Sequence, residues 1–418
     1  MRDQEPDHPV GSERRLSTRE AAELLGVKPE TVYAYVSRGQ LGSRRTPGGR
    51  GSTFDPVEVR ALARRNRRDG AAAASGHELA VRTRLTLIES DRFYYRGVDA
   101  VELAARHTYE EVAEWLWTGR LRPGITFSAP ESSVAVARRA VDSLPEHAGP
   151  TDRLRVAAIA AAVADPLRFD LSEEAVLGTA RVLIPTLVAA LPPVLRDGTD
   201  GDPIARRLWT RLSGRPADEP TLRALDTALS LLVDHDLAAS TLAVRVAASA
   251  RAHAYAAVSA GLGVIEGPLH GAAGGLAHRM LLEVLDVGSA APVVAEELRA
   301  GRRIPGLGHR LYPGEDPRAR ALFALLEEIP RAAPALAAAR DIQATAARHA
   351  PLHANVDLAL AVLTASSGMP PTAAETIFAV ARTAGWIAHA LEEYGERPLR
   401  MRPSGLYSGP RPPRPLPE

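Results

Sequence analysis

At 418 residues the chain is too long for one ordinary domain, so two or three are expected, and its 45% hydrophobic content can furnish a substantial core. A formal net charge of +1 gives no overall field toward nucleic acid, and the absence of cysteine excludes disulfides, thiolate catalysis and cysteine-ligated zinc. Met1 to Arg15 lack the apolar stretch of a secretory signal, and no apolar run approaches the roughly 18 residues that cross a bilayer, so a cytoplasmic protein with no membrane partner is expected.

The first element is announced by Ser17-Thr18-Arg19-Glu20, a capping box that predicts a short helix to Leu25. A turn follows at Gly26, and Pro29 suits the first turn of a second helix running through Tyr33 and Val36 to Gly39. Arg44, Arg45, a glycine-rich turn at Gly48 to Gly51 and the run Phe54 to Val59 complete a module over 14–68. It resembles the winged helix-turn-helix of excisionase-like and mercury-regulator-like DNA binders. Arg38, Arg44, Arg45, Arg50, Arg60, Arg64, Arg65, Arg67 and Arg68 face only Asp55 and Glu58, a balance able to neutralise DNA phosphates. Lys28 is the lone lysine, however, so arginine clusters carry less weight here, and a small assembly domain fits the same residues. The run Gly70 to Gly76 marks a linker over 69–77.

From His77 to about Gly395 alanine and leucine recur with helical periodicity, as in Leu222, Leu225, Leu229 and Leu232. Thr241 to Ala260 reads as one long helix ended by Gly261 and Gly263, and Ala272 to Leu285 as another. Alternating β-branched runs and phosphate-loop glycines are missing, so an all-α fold is expected, with an irregular tail over 410–418.

Five short patterns carry chemistry. Glu266-Gly267-Pro268-Leu269-His270-Gly271-Ala272 sets a histidine just before a helix, where the positive helix end favours a neutral imidazole able to donate to a developing oxyanion. Ile304-Pro305-Gly306-Leu307-Gly308-His309-Arg310 is a loop whose backbone can approach a ligand closely, and Asp316-Pro317-Arg318 follows it. Asn355-Val356-Asp357 supplies a carboxylate beside a helix, and Asp234-His235-Asp236 a third histidine. No pair of these histidines has close helical ligand spacing, which argues against a metal site.

Taken in order, and joined by Tyr95-Arg96-Gly97, Ala381-Arg382 to His389, and Arg402-Pro403 with Leu406 to Gly409, these patterns resemble the citrate synthase family from about Asp91 to Gly409. The resemblance implies an all-α, two-domain fold: a large domain over 78–271 and 371–409 and a small domain over 272–370 that closes on bound oxaloacetate. It implies an acyltransferase of the tricarboxylic acid cycle, joining acetyl-CoA to oxaloacetate and releasing citrate and CoA, with no cofactor beyond acetyl-CoA as co-substrate. Asp357 would take the methyl proton, His270 would stabilise the enol, and His309 would polarise the keto group and protonate the alkoxide. His235, Arg318, Arg382 and Arg402 would bind oxaloacetate, Arg402 from the neighbouring subunit of a homodimer. Ile304, Pro305, Gly306, Leu307, Gly308 and Asn355 would line the CoA pocket. Two departures touch rate and substrate preference: Ala238 stands where the family often has Asn, and Gly271 to Gly275 replaces its Gly-Gly-Ala-Asn-Glu. Two alternatives follow: a 2-methylcitrate synthase using propionyl-CoA, and a metabolite-sensing DNA-binding regulator without catalysis.

Overall fold

The computed structural model describes residues 15–25, 27, 29–37, 41–45, 52–60, 62, 81–196, 199, 201–267, 270–403, 408–410 and 414. The chain divides into two compact units, 1–82 and 83–418. Among the described residues no helix is long and apolar enough to cross a membrane.

In the first unit the capping box forms as expected. Ser17 N–H donates to Glu20 Oε2 (2.7 Å) and Glu20 N–H to Ser17 Oγ (3.3 Å), opening the helix Thr18–Leu25. Pro29 opens the second helix, Pro29–Ser37. Strand Ser52–Phe54 pairs antiparallel with both Leu16–Ser17 and Ser43–Arg45, giving the wing. Ala21, Leu25, Val32, Leu41, Phe54 and Val59 bury together beneath it. The expectations for Gly26, Arg38, Gly39, Gly48 to Gly51, Arg64 to Arg68 and the linker 69–77 lie outside the described residues, as does most of the tail.

The second unit is helical apart from a small antiparallel meander, Thr86–Glu89, Arg92–Tyr95 and Val98–Asp99. Its axis is the helix Ala373–Tyr394, an alanine-rich stretch free of proline and glycine except at Gly385, and buried along most of its length. It packs on Ala239–Ser249, Ala254–Ile265, Glu173–Ala190 and Glu219–Leu232. Leu222, Leu225, Leu229 and Leu232 form the buried face of the last of these, as their spacing requires. Each such leucine, fully buried, contributes on the order of 2 kcal/mol.

The single helix expected over Thr241–Ala260 is two. Ala239–Ser249 ends where Arg251 takes a φ of +62°, and Ala254–Ile265 restarts with His253 as its cap, Nδ1 accepting from Ala256 N–H (3.1 Å). Gly261 lies inside the second helix rather than at its end: a Cβ there would come within 2.7 Å of the Trp386 ring, so the glycine serves close packing.

Candidate active site

His235 sits in the turn after the helix Glu219–Leu232. Tyr95 holds that turn, its buried hydroxyl lying 3.1–3.2 Å from the carbonyls of Ser230, Leu231 and Asp234. The His235 ring is buried, with Nε2 2.8 Å from the Tyr312 hydroxyl and its centroid 5.2 Å from that of His309. Burial, and then the charges of Arg318 and Arg382, hold its pKa well below the ordinary histidine value.

His309 follows the glycine loop. Leu311 N–H donates to its Nδ1 (3.1 Å), and Arg318 Nη2, also a donor, stands 3.3 Å from its Nε2, so both ring nitrogens face donors. Burial and then Arg318 push this ring down to about 4. Arg318 is fixed by Asp316, with Nε–Oδ1 at 2.9 Å and Nη2–Oδ2 at 2.8 Å. Asp316 Oδ2 also accepts Val356 N–H (3.0 Å), so one carboxylate ties Arg318 to the start of the helix Val356–Ser366.

That helix carries Asp357 in its first turn. Asn355 caps it, Oδ1 accepting Asp357 N–H (3.0 Å), while its Nδ2 donates to Gly308 O (2.8 Å) and its N–H to Gly306 O (2.9 Å). Asn355 therefore clamps the glycine loop onto the Asp357 helix. Gly306, at φ +78°, cannot be another residue: a Cβ would lie 2.8 Å from that of Leu358. Among the described residues no side chain hydrogen-bonds the half-buried Asp357 carboxylate. Burial lifts it to about 6, against the attraction of Arg318.

His270 lies three residues before the helix Ala273–Val287, its Nε2 2.7 Å from Ser240 Oγ. Trp386 Nε1 donates to the same Oγ (3.3 Å), and the Ser240 hydrogen has no other described acceptor than His270 Nε2. The imidazole hydrogen is thereby assigned to Nδ1, where nothing among the described residues accepts it. Burial, then Arg382, push the ring down to about 4, so it stays neutral at neutral pH. Arg382 is itself buried. Its Nε donates to Leu232 O (2.8 Å), its guanidinium lies 4.6 Å from the Phe378 ring centre, and its Nη1 has no hydrogen-bond partner among the described residues. A buried guanidinium nitrogen left unpaired is costly unless a ligand anion completes it.

Beside Asp357 opens a cavity of ≈ 730 Å³, lined by Ile304, Pro305, Gly306, Leu307, Gly308, Asn355 and Asp357, with Ala273, Leu276, Met280, Arg279, Glu283, Glu297, Arg302 and Arg303. Its rim mixes three arginines with two glutamates, Arg302 being held by Glu297 (2.8 and 3.1 Å), and its remaining lining is largely apolar. Among the described residues no group of three or more carboxylates, histidines or cysteines could hold a metal ion. The structure thus gathers His235, His309 and Arg318 by direct contact, and sets Asp357 and Arg382 within electrostatic reach of Arg318. Arg402 is not gathered: it is exposed and makes no side-chain hydrogen bond among the described residues.

The family model described as "Citrate synthase, C-terminal domain" matches residues 76–404. The chain belongs to the citrate synthase family. A citrate synthase of Haloferax volcanii is 32% identical over 79% of this chain and 94% of its own length. A 2-methylcitrate synthase of Corynebacterium glutamicum is 28% identical over 77% of this chain and 90% of its own. The solved citrate synthase of Thermotoga maritima superposes with a TM-score of 0.64 at 27% identity, over 82% of this chain and 96% of that one. A helix-turn-helix domain model matches residues 15–67. This citrate synthase-family chain is therefore an acyltransferase of citrate synthase type with a helix-turn-helix domain at its N-terminal side.

Sequence reasoning missed Ser240 and Tyr312 as members of the site, and left Asp316, present in the Asp316-Pro317-Arg318 pattern, without a role. Its position two residues before Arg318 was the signal. Ser240 and Tyr312 had none, since their partners stand 30 and 77 residues away.

Proposed function

We propose that the chain condenses oxaloacetate with an acyl-CoA, acetyl-CoA being its substrate, and hydrolyses the product thioester. Asp357 takes a proton from the acyl methyl group. The thioester oxygen, gaining charge, accepts the free Nδ1–H of His270. The enol carbon bonds to the keto carbon of oxaloacetate as Arg318 turns to a substrate carboxylate; the keto oxygen takes a proton from Nε2 of His309, and the proton gathered on Asp357 is returned to that ring through solvent. Water then attacks the thioester carbonyl, the C–S bond breaks and CoA leaves as the thiol. Arg318, the unpaired Nη1 of Arg382 and His235 bind the oxaloacetate carboxylates, and the ≈ 730 Å³ cavity takes CoA. No cofactor beyond the acyl-CoA is called for. What supports this reading is a carboxylate, Asp357, that no described side chain hydrogen-bonds, that burial lifts to about 6 and that lines the ≈ 730 Å³ cavity. Within it, residues 272–370 act as a small domain closing on a large domain of 78–271 and 371–409.

The C. glutamicum relative favours a second reading, propionyl-CoA as substrate. One added methyl discriminates by only about 1–3 kcal/mol. Thiol release with oxaloacetate and each acyl-CoA in turn decides. Acetyl-CoA is expected to lead in kcat/KM by about tenfold or more. A lead for propionyl-CoA reverses the assignment, and no release with either leaves the regulator reading.

A homodimer with shared sites is part of the proposal. Ile159, Val163, Leu167 and Phe169 form an exposed apolar surface, 56–76% accessible, and Arg402, exposed and without a side-chain hydrogen bond among the described residues, binds an oxaloacetate carboxylate in the neighbouring subunit's site. Leu167→Asp with Phe169→Asp is expected to give monomers in sedimentation and to lose activity together with the dimer. A dimer that survives the double substitution places the interface elsewhere. For the N-terminal domain the proposal is duplex DNA, supported by the helix-turn-helix match and the exposed Arg19, Tyr33 and Arg44.

A further inference from the structure

The end of the Ala373–Tyr394 helix buries charges that the reaction does not use. Glu393 is fully buried and takes both prongs of Arg400, Nε–Oε1 at 2.8 Å and Nη2–Oε2 at 2.6 Å. Arg245, also fully buried, donates Nη1 to Glu393 Oε2 (3.1 Å), pairs through Nη2 with Glu392, and donates Nε to His389 Nδ1 (3.0 Å). With Nδ1 accepting, His389 carries its hydrogen on Nε2 and donates it to Asp234 Oδ1 (3.1 Å). Asp234 accepts the Thr86 hydroxyl on its other oxygen (2.5 Å), lies within electrostatic reach of Arg382 and directly precedes His235. An unbroken hydrogen-bonded series therefore runs from Arg400, near the chain end, to the oxaloacetate turn.

Removing one partner of such a network leaves the other buried charges uncompensated, so its members hold one another in one arrangement. What it fixes is visible at its outer end. Leu399 takes a φ of +57°, a conformation leucine seldom adopts, and the described backbone bonds at 399–402 are Leu399 N–H to Ser249 O (2.7 Å) and Arg402 N–H to Leu399 O (3.1 Å). Such a segment needs an anchor. The geometry points to Arg400 as a positioning residue: docked on Glu393, it holds residues 399–402 so that Arg402 faces outward to complete the oxaloacetate site of a second copy. Through Arg245, His389 and Asp234 the same anchor is referenced to the His235 turn of its own chain. The inference deepens the oxaloacetate-binding reading above and rests on the role proposed there for Arg402.

The test uses full-length protein carrying Arg400→Gln, Arg400→Lys, Arg402→Ala, or Arg400→Gln with Arg402→Ala. Amide hydrogen exchange over 397–403 reads the anchor without catalysis, and steady-state kinetics read its consequence. Arg400→Gln is expected to speed exchange at Leu399 about tenfold or more and to raise the oxaloacetate KM about tenfold, with kcat and the acyl-CoA KM nearly unchanged. Arg400→Lys, which keeps the charge but not the fork, recovers part of both. The double variant is no worse than Arg402→Ala alone, since a lost guanidinium no longer needs positioning. Unchanged exchange overturns the proposal. So does faster exchange with an unmoved KM, or losses that multiply in the double variant, because each marks Arg400 as merely structural. If unaltered protein releases no thiol, the enzymatic reading and the positioning role fall together, and the exchange data still say whether Arg400 holds the segment.

Discussion

Asp357→Asn is expected to lower kcat about a thousandfold while raising the stability of the fold. The first effect follows from the role of the carboxylate: a thioester methyl is a very weak acid, and a positioned base contributes about 10²–10⁴ in rate. The second follows from linkage. Burial raises the folded-state pKa of Asp357 from 3.8 to about 6, so the folded protein binds this proton more tightly than the unfolded chain does. The stability it contributes is present below 3.8 and is lost as pH rises through about 6, leaving a carboxylate at neutral pH that costs on the order of 2 kcal/mol. Asparagine removes that cost, so Tm should rise at pH 7.5 and hardly change at pH 4. In the unaltered enzyme kcat/KM should fall as pH drops through about 6, where the base is protonated. Kinetics and thermal scans at the two pH values check both. A variant with full activity removes Asp357 as the base, and one that is less stable at pH 7.5 contradicts the burial argument.

Gly385→Ala is expected to be strongly destabilising. The Ala373–Tyr394 helix meets the 233–235 turn at this residue, and an added Cβ would overlap Val233 O and stand 3.2 Å from Asp234 Cβ. Neither backbone can yield cheaply. Arg382, one turn earlier, is bonded to Leu232 O, and Tyr95 clamps the turn from the other side. Overpacking of this kind costs about 3 kcal/mol or more. Denaturant unfolding should show a lower midpoint, and oxaloacetate affinity should fall as well, because the displaced turn carries His235. An unaffected midpoint means that helix and turn do not meet as described.

What the sequence makes legible is what is local. His270, His309, Arg318 and Asp357 each sit within a few residues of the glycine, cap or helix start that gives them their setting, so short patterns reveal them. The capping box at Ser17 to Glu20 forms for the same reason. Elements whose boundaries are tertiary stay hidden. The break at 250–253 lies in an alanine-rich run with equal propensity on both sides, and Gly261 is a packing contact with Trp386, 125 residues away in the chain, not a stop signal. The meander at 86–99 is too short to show a period. Ser240 and Tyr312 gain their meaning only when distant helices bring the two histidines to them.

The most direct measurement is the structure of the full chain with oxaloacetate and an unreactive acetyl-CoA analogue bound. The Asp357 carboxylate should lie about 3–3.5 Å from the carbon standing for the acyl methyl, with His270 Nδ1 bonded to the oxygen of the thioester mimic and His309 Nε2 to the keto oxygen. A complex in which the analogue binds away from Asp357, or in which His270 presents Nδ1 to Ser240 and nothing to the thioester, contradicts the account.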